Sequence, residues 1–298
     1  MNPFLFFATV LIWGSTWYAI TFQLGVVPES WSLVYRFAAS TAILFAFCIA
    51  VGRNLRFPLQ AHLLLVALGL FNFSSNYYLV YIATAHIASG LVAVVFSGLT
   101  LVNILNAVIF FRQRVEGRTL AGVALGIAGI ALMFWPEVET FGFSDQAVIG
   151  LGICLAGTFL ASFGNVIATT KVVSALPTVQ VNAWGMLYGT AALTVFAFVN
   201  GDPIRFDPSP GYVISLAYLA VFGTVLAFTA YFILLRRIGL QRAGYIAIAF
   251  PVVALIISTL FEGFAWTWLA VAGMALIVAG NALVLAQRKP KPAVQPAR

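Results

Sequence analysis

Hydroxyl, amide and aromatic side chains crowd into one otherwise apolar stretch of the sequence, from Phe71 to Tyr81. Three- and four-residue spacings place four of them on one face of a helix: Ser74, Tyr77, Tyr78 and Tyr81. Such a face offers rings for stacking and hydroxyl groups for hydrogen bonding, which is the chemistry of a small-molecule pocket. The alternative is an interfacial belt of tyrosines, because Tyr81 lies close to the end of the stretch.

Further aromatic and amide side chains in other apolar stretches extend the candidate site. Each can line a pathway or simply bind a neighbouring helix: Trp13, Trp17, Asn165, Trp184, Tyr188 and Tyr245. Trp17 is the better pocket candidate of the two tryptophans. Asn103 and Asn106, in contrast, are expected to hydrogen-bond between helices.

Arg36 is the one charged side chain well inside an apolar stretch. It can extend to the membrane interface or face a water-filled vestibule. In a vestibule its positive charge would attract the carboxylate of a substrate. Ser32 and Ser40 lie four residues to either side on the same helical face and favour the vestibule.

Catalytic, metal-binding and cofactor-binding patterns are absent from the sequence. A membrane-embedded enzyme would need clustered His, Asp, Glu or Cys groups at one depth. No acidic residue falls in the middle of an apolar stretch. His62 lies at the entrance of a stretch and His86 in a tight turn between two stretches, and both remain conceivable proton carriers. Cys48 and Cys154 are expected to be small apolar fillers. We therefore expect no enzyme, no metal and no cofactor.

Ten apolar stretches must position these side chains, and each is long enough to cross a hydrocarbon layer of about 30 Å. They cover residues 4–23, 31–51, 60–84, 87–111, 119–135, 147–169, 178–199, 211–235, 240–261 and 266–286. A hydrophobic fraction of 62% with only 8% charged residues argues against a soluble protein, whose surface needs far more polar residues. The sequence therefore predicts an all-α integral membrane protein, and we expect the first stretch to be a span rather than a signal peptide.

Charges in the connections between the stretches alternate in sign. One set of connections, together with the C-terminus, forms what we call the basic face: Arg53, Arg56, Arg112, Arg114, Arg118, Lys171, Arg236, Arg237, Arg242, Arg288, Lys289, Lys291 and Arg298, with Glu116 as the one acid. The opposite connections form the acidic face: Glu29, Glu137, Glu139, Asp145, Asp202, Asp207 and Glu262, with Arg205 as the one basic residue.

The positive-inside rule then places the basic face and both termini in the cytoplasm, with the chain in the inner membrane of a bacterium. The net charge of +7 follows from this bias and from contact with anionic lipid headgroups, so it does not indicate nucleic-acid binding. The expected partners are the lipid bilayer and a small-molecule substrate, with the chain acting as a monomer.

An internal repeat divides the chain into two halves. Leu120 to Leu132 aligns with Val271 to Leu283 at an offset of 151 residues, with eight identities in thirteen positions. Each segment ends a block of five stretches, so the second block must enter the membrane from the opposite side. We predict one five-helix unit over 1–137, an inverted unit over 146–288 and a tail over 289–298. Inverted repeats of this kind are typical of secondary transporters, with the substrate site between the halves.

The order of these features resembles the drug/metabolite transporter superfamily, specifically its ten-helix EamA-type exporters. The resemblance rests on Trp13-Gly14-Ser15, on Tyr35-Arg36-Phe37 and on the paired glycine-rich fifth and tenth helices. Members usually carry a Gly-Glu pair after the fourth and ninth helices, where this chain has Arg112-Gln113 and Glu262-Gly263. Within the family the chain looks most similar to the YddG-type exporters of aromatic amino acids. That similarity implies a central cavity lined by the third, fourth, eighth and ninth helices.

Two transport functions are compatible with these features. The first is export of neutral or zwitterionic metabolites, such as amino acids, by alternating access without a proton-carrying carboxylate. The second is a proton-coupled drug or toxic-metabolite antiporter of the same fold, which usually needs a carboxylate inside the membrane.

Overall fold

The computed structural model describes residues 3–111, 117–135, 146–231, 233–234 and 245–285, and these residues form helices and no strand. Ten helical elements correspond to the ten predicted stretches: α1 Pro3–Thr21, α2 Glu29–Ala50, α3 Leu59–His86, α4 in two segments (Ser89–Ser97 and Leu99–Phe111), α5 Gly117–Met133, α6 Gln146–Ala168, α7 Thr178–Val199, α8 Pro210–Tyr231, α9 Tyr245–Phe261 and α10 Trp268–Leu285. A short helix, Lys171–Ser174, precedes α7. Several predictions fall outside the described residues: the basic residues in 112–116, 235–244 and 286–298, the acidic seam 136–145 and the tail 289–298.

Length and composition make this a multi-pass membrane protein. Within the described residues, six helices are long and apolar enough to cross a membrane (α1, α2, α3, α6, α7 and α8), and α4, α5, α9 and α10 contain shorter apolar helices. In the part of the chain that the structure describes, the one difference in continuity is α4, which we expect from the sequence to be a single helix. It is interrupted at Gly98, where a turn separates its two segments.

Helix ends are set by proline and glycine. Pro28, Pro58 and Pro177 precede α2, α3 and α7, and proline disfavours helical backbone in the residue before it. Gly52 and Gly201 follow the ends of α2 and α7 with φ angles of 66° and 74°, a left-handed conformation that glycine adopts without steric cost. These two helices pack side by side.

The glycine-rich helices α5 and α10 pack closely, and their contacts are reciprocal. A β-carbon on Gly122 would lie 2.7 Å from the carbonyl oxygen of Gly280, and a β-carbon on Gly129 would lie 2.6 Å from that of Gly273. By the repeat offset of 151, Gly273 corresponds to Gly122 and Gly280 to Gly129. The two helices therefore run antiparallel. Gly122 meets the counterpart of Gly129, and Gly129 meets the counterpart of Gly122, as a twofold relation requires.

The third and eighth helices share a less common feature. Each contains a stretch of π-helix, Gly69–Ser75 in α3 and Leu219–Leu226 in α8, and the starts of these stretches are 150 residues apart. π-helical turns often occur at functional sites because they change which side chains face a neighbouring helix.

Near the acidic face, α9 and α4 are joined by a carboxylate. The side chain of Glu262, just after α9, accepts hydrogen bonds from the backbone N–H of Ser89 (3.3 Å) and from its hydroxyl group (2.7 Å). Glu262 therefore caps the beginning of α4 and is engaged in structure at the helix end.

Candidate functional site

The Arg36 side chain lies inside the helix bundle and does not reach the membrane interface, since only 2% of its surface is exposed. Its Nε donates to the hydroxyl of Thr224 in α8 and its Nη1 donates to the hydroxyl of Tyr81 in α3, both at 3.3 Å. The guanidinium carbon lies 4.9 Å from the centre of the Tyr77 ring, a cation–π contact. Arg36 thus joins the second, third and eighth helices.

The Arg36 charge has no carboxylate partner among the described residues. A guanidinium group carries five N–H donors, and the two hydrogen bonds above leave three without an acceptor in the described part of the chain. A buried cation is costly unless an anion or several acceptors compensate it. The site is therefore suited to an anionic group of a ligand.

The polar face of α3 divides between two environments. Tyr77 and Tyr81 face Arg36, and Ser74 is buried within the π-helical stretch. Tyr78 turns away, and its ring lies 4.8 Å from that of Phe196 in α7. Tyr77 and Tyr81 are four residues apart and share a helical face, whereas Tyr78 is about 100° away from Tyr77 around the axis.

The two tryptophans of α1 contact different helices. Trp17 is buried between Phe96 of α4 and Phe250 of α9, with ring centres 5.3 and 6.0 Å from its own, and its indole N–H has no hydrogen-bond partner within the described ranges. Trp13 lies against Phe228 and Tyr231 of α8. Trp17 therefore offers a buried ring and a free donor, whereas Trp13 packs within an aromatic cluster.

The remaining predicted site residues lie elsewhere. Asn165 donates to Asn103 Oδ1 (3.2 Å) in a network that joins α6 to α4 and also includes Asn106 and Ser162. These amides therefore bind neighbouring helices, as expected for Asn103 and Asn106.

A second group of predicted site residues joins α7 to α3 and to the loop before α3, near the basic face. Trp184 donates its indole N–H to the backbone oxygen of Leu55 (3.1 Å), and the Tyr188 hydroxyl bonds His62 (2.9 Å). The structure thus brings neither Trp184 nor Tyr188 to Arg36. Tyr245 begins α9, and its side chain lies outside the described residues.

A cavity of about 350 Å³ leads from the basic face toward Arg36 and its hydrogen-bond partner Thr224, between α2, α7 and α8. Arg53, which is exposed, lies at its mouth, and Thr224 lies at its deep end. Because the Thr224 hydroxyl accepts the hydrogen bond from Arg36, the cavity ends one side chain away from the buried charge. Most of the lining is apolar, with amide groups of Gln180 and Asn182 nearer the mouth.

The other side of Arg36 is closed by hydrogen bonds toward the acidic face. Gln23 donates to the backbone oxygen of Tyr212 (2.9 Å), and the Tyr212 hydroxyl bonds Ser32 (2.9 Å). Farther out, the carboxylate of Asp202 accepts from Ser30, and its backbone oxygen accepts from the Trp31 indole N–H (3.1 Å). We call these residues the acidic-face seal.

Thr224, Gln180, Asn182 and Tyr212 were not identified from the sequence. Thr224 is a lone polar residue in an apolar run, and for all four residues helical spacing within one helix does not tell which neighbouring helix the side chain faces. The repeat offers one signal: at an offset of 151 residues, Thr224 corresponds to Phe73, beside Ser74 in the polar face of α3.

Similarity to known proteins extends over the whole fold. A model of the EamA-like transporter family matches residues 2–135 and 148–286. The chain is 29% identical over 306 residues to the uncharacterized inner membrane transporter YedA of Escherichia coli strain K12, covering 98% of this chain and 95% of the relative. It is 22% identical over 281 residues to an uncharacterized transporter of Archaeoglobus fulgidus, covering 94% and 97%.

A third relative is protein PagO of Salmonella typhimurium, 22% identical over 264 residues, with 88% of this chain and 85% of the relative covered. A solved crystal structure shares the fold with a TM-score of 0.68 at 21% identity, covering 94% of both chains. The narrower resemblance to YddG-type exporters stays a prediction.

Proposed function

The chain belongs to the EamA-like transporter family, and from this premise we propose that it exports small zwitterionic or neutral metabolites, in particular amino acids, including aromatic ones. It does so by alternating access, as a facilitator in the inner membrane of a bacterium with both termini in the cytoplasm. The chain acts as a monomer.

The observation that carries this proposal is the buried charge of Arg36, which has no carboxylate partner among the described residues and lies beside the deep end of a cavity. A substrate carboxylate that reaches Thr224 can accept the guanidinium N–H groups that the protein leaves free. Charge-assisted hydrogen bonds of this kind are among the stronger ones in proteins. The same positive charge repels cations, which disfavours the proton-coupled drug antiporter.

Aromatic substrates are supported by the apolar lining of the cavity and by the Trp17 cluster. The cavity wall includes Phe47, Met186 and Phe228, which offer apolar and ring surfaces to a side chain. None of the lining residues that the structure describes is acidic, so the cavity has no carboxylate to trade a proton against a substrate.

Alternating access is supported by the asymmetry between the two faces and by the repeat. The cavity reaches the basic face while the acidic-face seal is closed. Reciprocal contacts between α5 and α10, and the match of one family model to two stretches, favour two inverted units of the same design. Such units can exchange conformations and so produce the opposite opening.

The test is flux of amino acids into proteoliposomes that contain the purified protein. We expect saturable phenylalanine flux without a proton gradient. Arg36→Gln should reduce the flux about 10- to 100-fold, because hydrogen bonds to a charged group are worth roughly 1.5–3 kcal/mol. Arg205→Gln removes an exposed arginine of the acidic face and is the matched control. Strict dependence on a proton gradient, or full flux in Arg36→Gln, would contradict the proposal.

Two further variants test the aromatic residues predicted from the sequence. Trp17→Ala should lower the flux of aromatic amino acids more than that of alanine, because the buried ring lies within the Phe96 and Phe250 cluster. Tyr78→Ala should have the smaller effect, since its ring faces Phe196. Unaltered flux in both variants would remove these residues from the site.

A further inference from the structure

Two amide residues on α7 line the cavity, and their side chains have no hydrogen-bond partner among the residues that the structure describes. Gln180 is 4% exposed and Asn182 is 9% exposed, and both line the cavity wall. No hydrogen bond joins either amide group to another described residue. Each amide group carries two N–H donors and one oxygen acceptor, so the two residues offer unused hydrogen bonds in a wall that is mostly apolar.

The amides lie closer to the basic face than the Arg36 end of the cavity. Along α7, Met186 in the same wall is six residues beyond Gln180 and four beyond Asn182, which is about 6 to 9 Å by helical rise. The α-carboxylate and α-amino groups of an amino acid share one carbon atom. These two groups cannot reach both ends of the cavity at once, so the amides meet a more distant part of the substrate.

We infer that Gln180 and Asn182 form a side-chain subsite that binds a polar group at the far end of the substrate, and that this subsite selects hydroxylated aromatic amino acids over their purely apolar analogues. The inference rests on the proposed function. With the carboxylate directed to Arg36, a substrate ring lies along the apolar wall and its terminal hydroxyl reaches the amides. A phenolic hydroxyl both donates and accepts, so it can bond the amide group of either residue.

Discrimination follows from the substrate that lacks the hydroxyl. A ring without it leaves buried amide groups unpaired when it displaces water from the cavity, and a site built to bond a hydroxyl rejects such an analogue. Tyrosine and phenylalanine differ only in this group. The protein should therefore have a lower half-saturation concentration for tyrosine than for phenylalanine, by about tenfold for hydrogen bonds between neutral groups.

The experiment measures half-saturation concentrations for tyrosine and phenylalanine in proteoliposomes, added at the basic face. The variants are Gln180→Leu/Asn182→Leu and the control Leu187→Met, which changes an exposed residue of α7 outside the cavity lining. The double variant should raise the tyrosine value, which loses its hydrogen bonds, and lower the phenylalanine value, which no longer leaves amides unpaired, so that the two values converge. Saturable phenylalanine flux in the double variant also shows that it is folded. Leu187→Met should keep the wild-type ratio.

The outcomes separate this inference from the function on which it rests. If the wild-type protein moves phenylalanine but does not prefer tyrosine, or if the double variant keeps the preference, the subsite is wrong and the proposed function stands. If the double variant loses flux of both amino acids equally, the amides serve the fold and the subsite is again wrong. If the wild-type protein moves neither amino acid, the proposed function fails together with the subsite.

Discussion

The same pair of helices, α2 and α7, is arranged differently at the two faces of the molecule. At the acidic face, α2 and α7 are tied together by Ser30, Trp31 and Asp202. At the basic face, the same helices line a cavity together with α8, and Arg53 lies at its mouth. Both helices end in a glycine of positive φ, so similar local structure supports a closed end and an open end. The difference shows that access is set by side chains across the helix interface and not by the helices themselves.

The largest expected effect is on chemical access to the two sides of Arg36. In a chain with Cys48→Ala and Cys154→Ala, which removes two buried free thiols, Thr229→Cys lies in the cavity wall and Ser215→Cys lies behind the seal. Because a thiol must be exposed to react, a membrane-impermeant thiosulfonate added at the basic face should modify Thr229→Cys at least about tenfold faster. Equal rates at the two positions would show that the faces do not differ.

A smaller effect is expected when the acidic-face seal is weakened. Tyr212→Phe removes the hydroxyl that bonds Ser32 and should cost about 1 kcal/mol, or a fivefold rise in the population open to the acidic face. Modification of Ser215→Cys from that face should accelerate by the same factor. Tyr218→Phe is the control, because Tyr218 lies on the same helix as Tyr212 but its hydroxyl bonds Ser15 of α1, outside the seal. If both variants accelerate modification equally, the seal is not where closure resides.

The smallest effect concerns the mouth of the cavity. Arg53→Gln should raise the half-saturation concentration for a carboxylate substrate about twofold to threefold at low salt, because an exposed charge attracts anions weakly. The effect should vanish near 1 M salt. Arg56→Gln removes an exposed charge of the same loop that does not line the cavity, and it should change the value less. An effect that persists at high salt would mean that Arg53 contacts the substrate directly.

The positions of the membrane helices follow from the sequence because apolar length alone determines them. The charged residue that matters could also be found, since Arg36 is the one ionised group that the membrane would otherwise exclude. Helical spacing placed Tyr77 and Tyr81 on one face, and both meet Arg36. Tyr78 was assigned to that face as well, but its ring packs on Phe196.

The partners across helix interfaces were beyond what one sequence can supply. Contacts with the opposite helix determine the roles of Thr224, Tyr212 and the amides of α7. A hydroxyl or amide in an apolar run has many possible neighbours, so the sequence does not identify the contact. The interruption of α4 at Gly98 and the π-helical stretches of α3 and α8 likewise depend on tertiary packing, because their local sequence is compatible with a regular helix.

The π-helical stretch of α8 has a geometric consequence for Thr224. Its hydroxyl bonds the carbonyl oxygen of Leu219, five residues earlier (2.8 Å), where a regular helix would offer the residue four earlier. One surplus residue in a turn rotates everything beyond it by about 100° relative to the preceding part. The side chains at the two ends of α8 are therefore rotated relative to each other about the helix axis. Tyr212 and Thr224 can lie on opposite sides of Arg36 while the helix between them stays continuous.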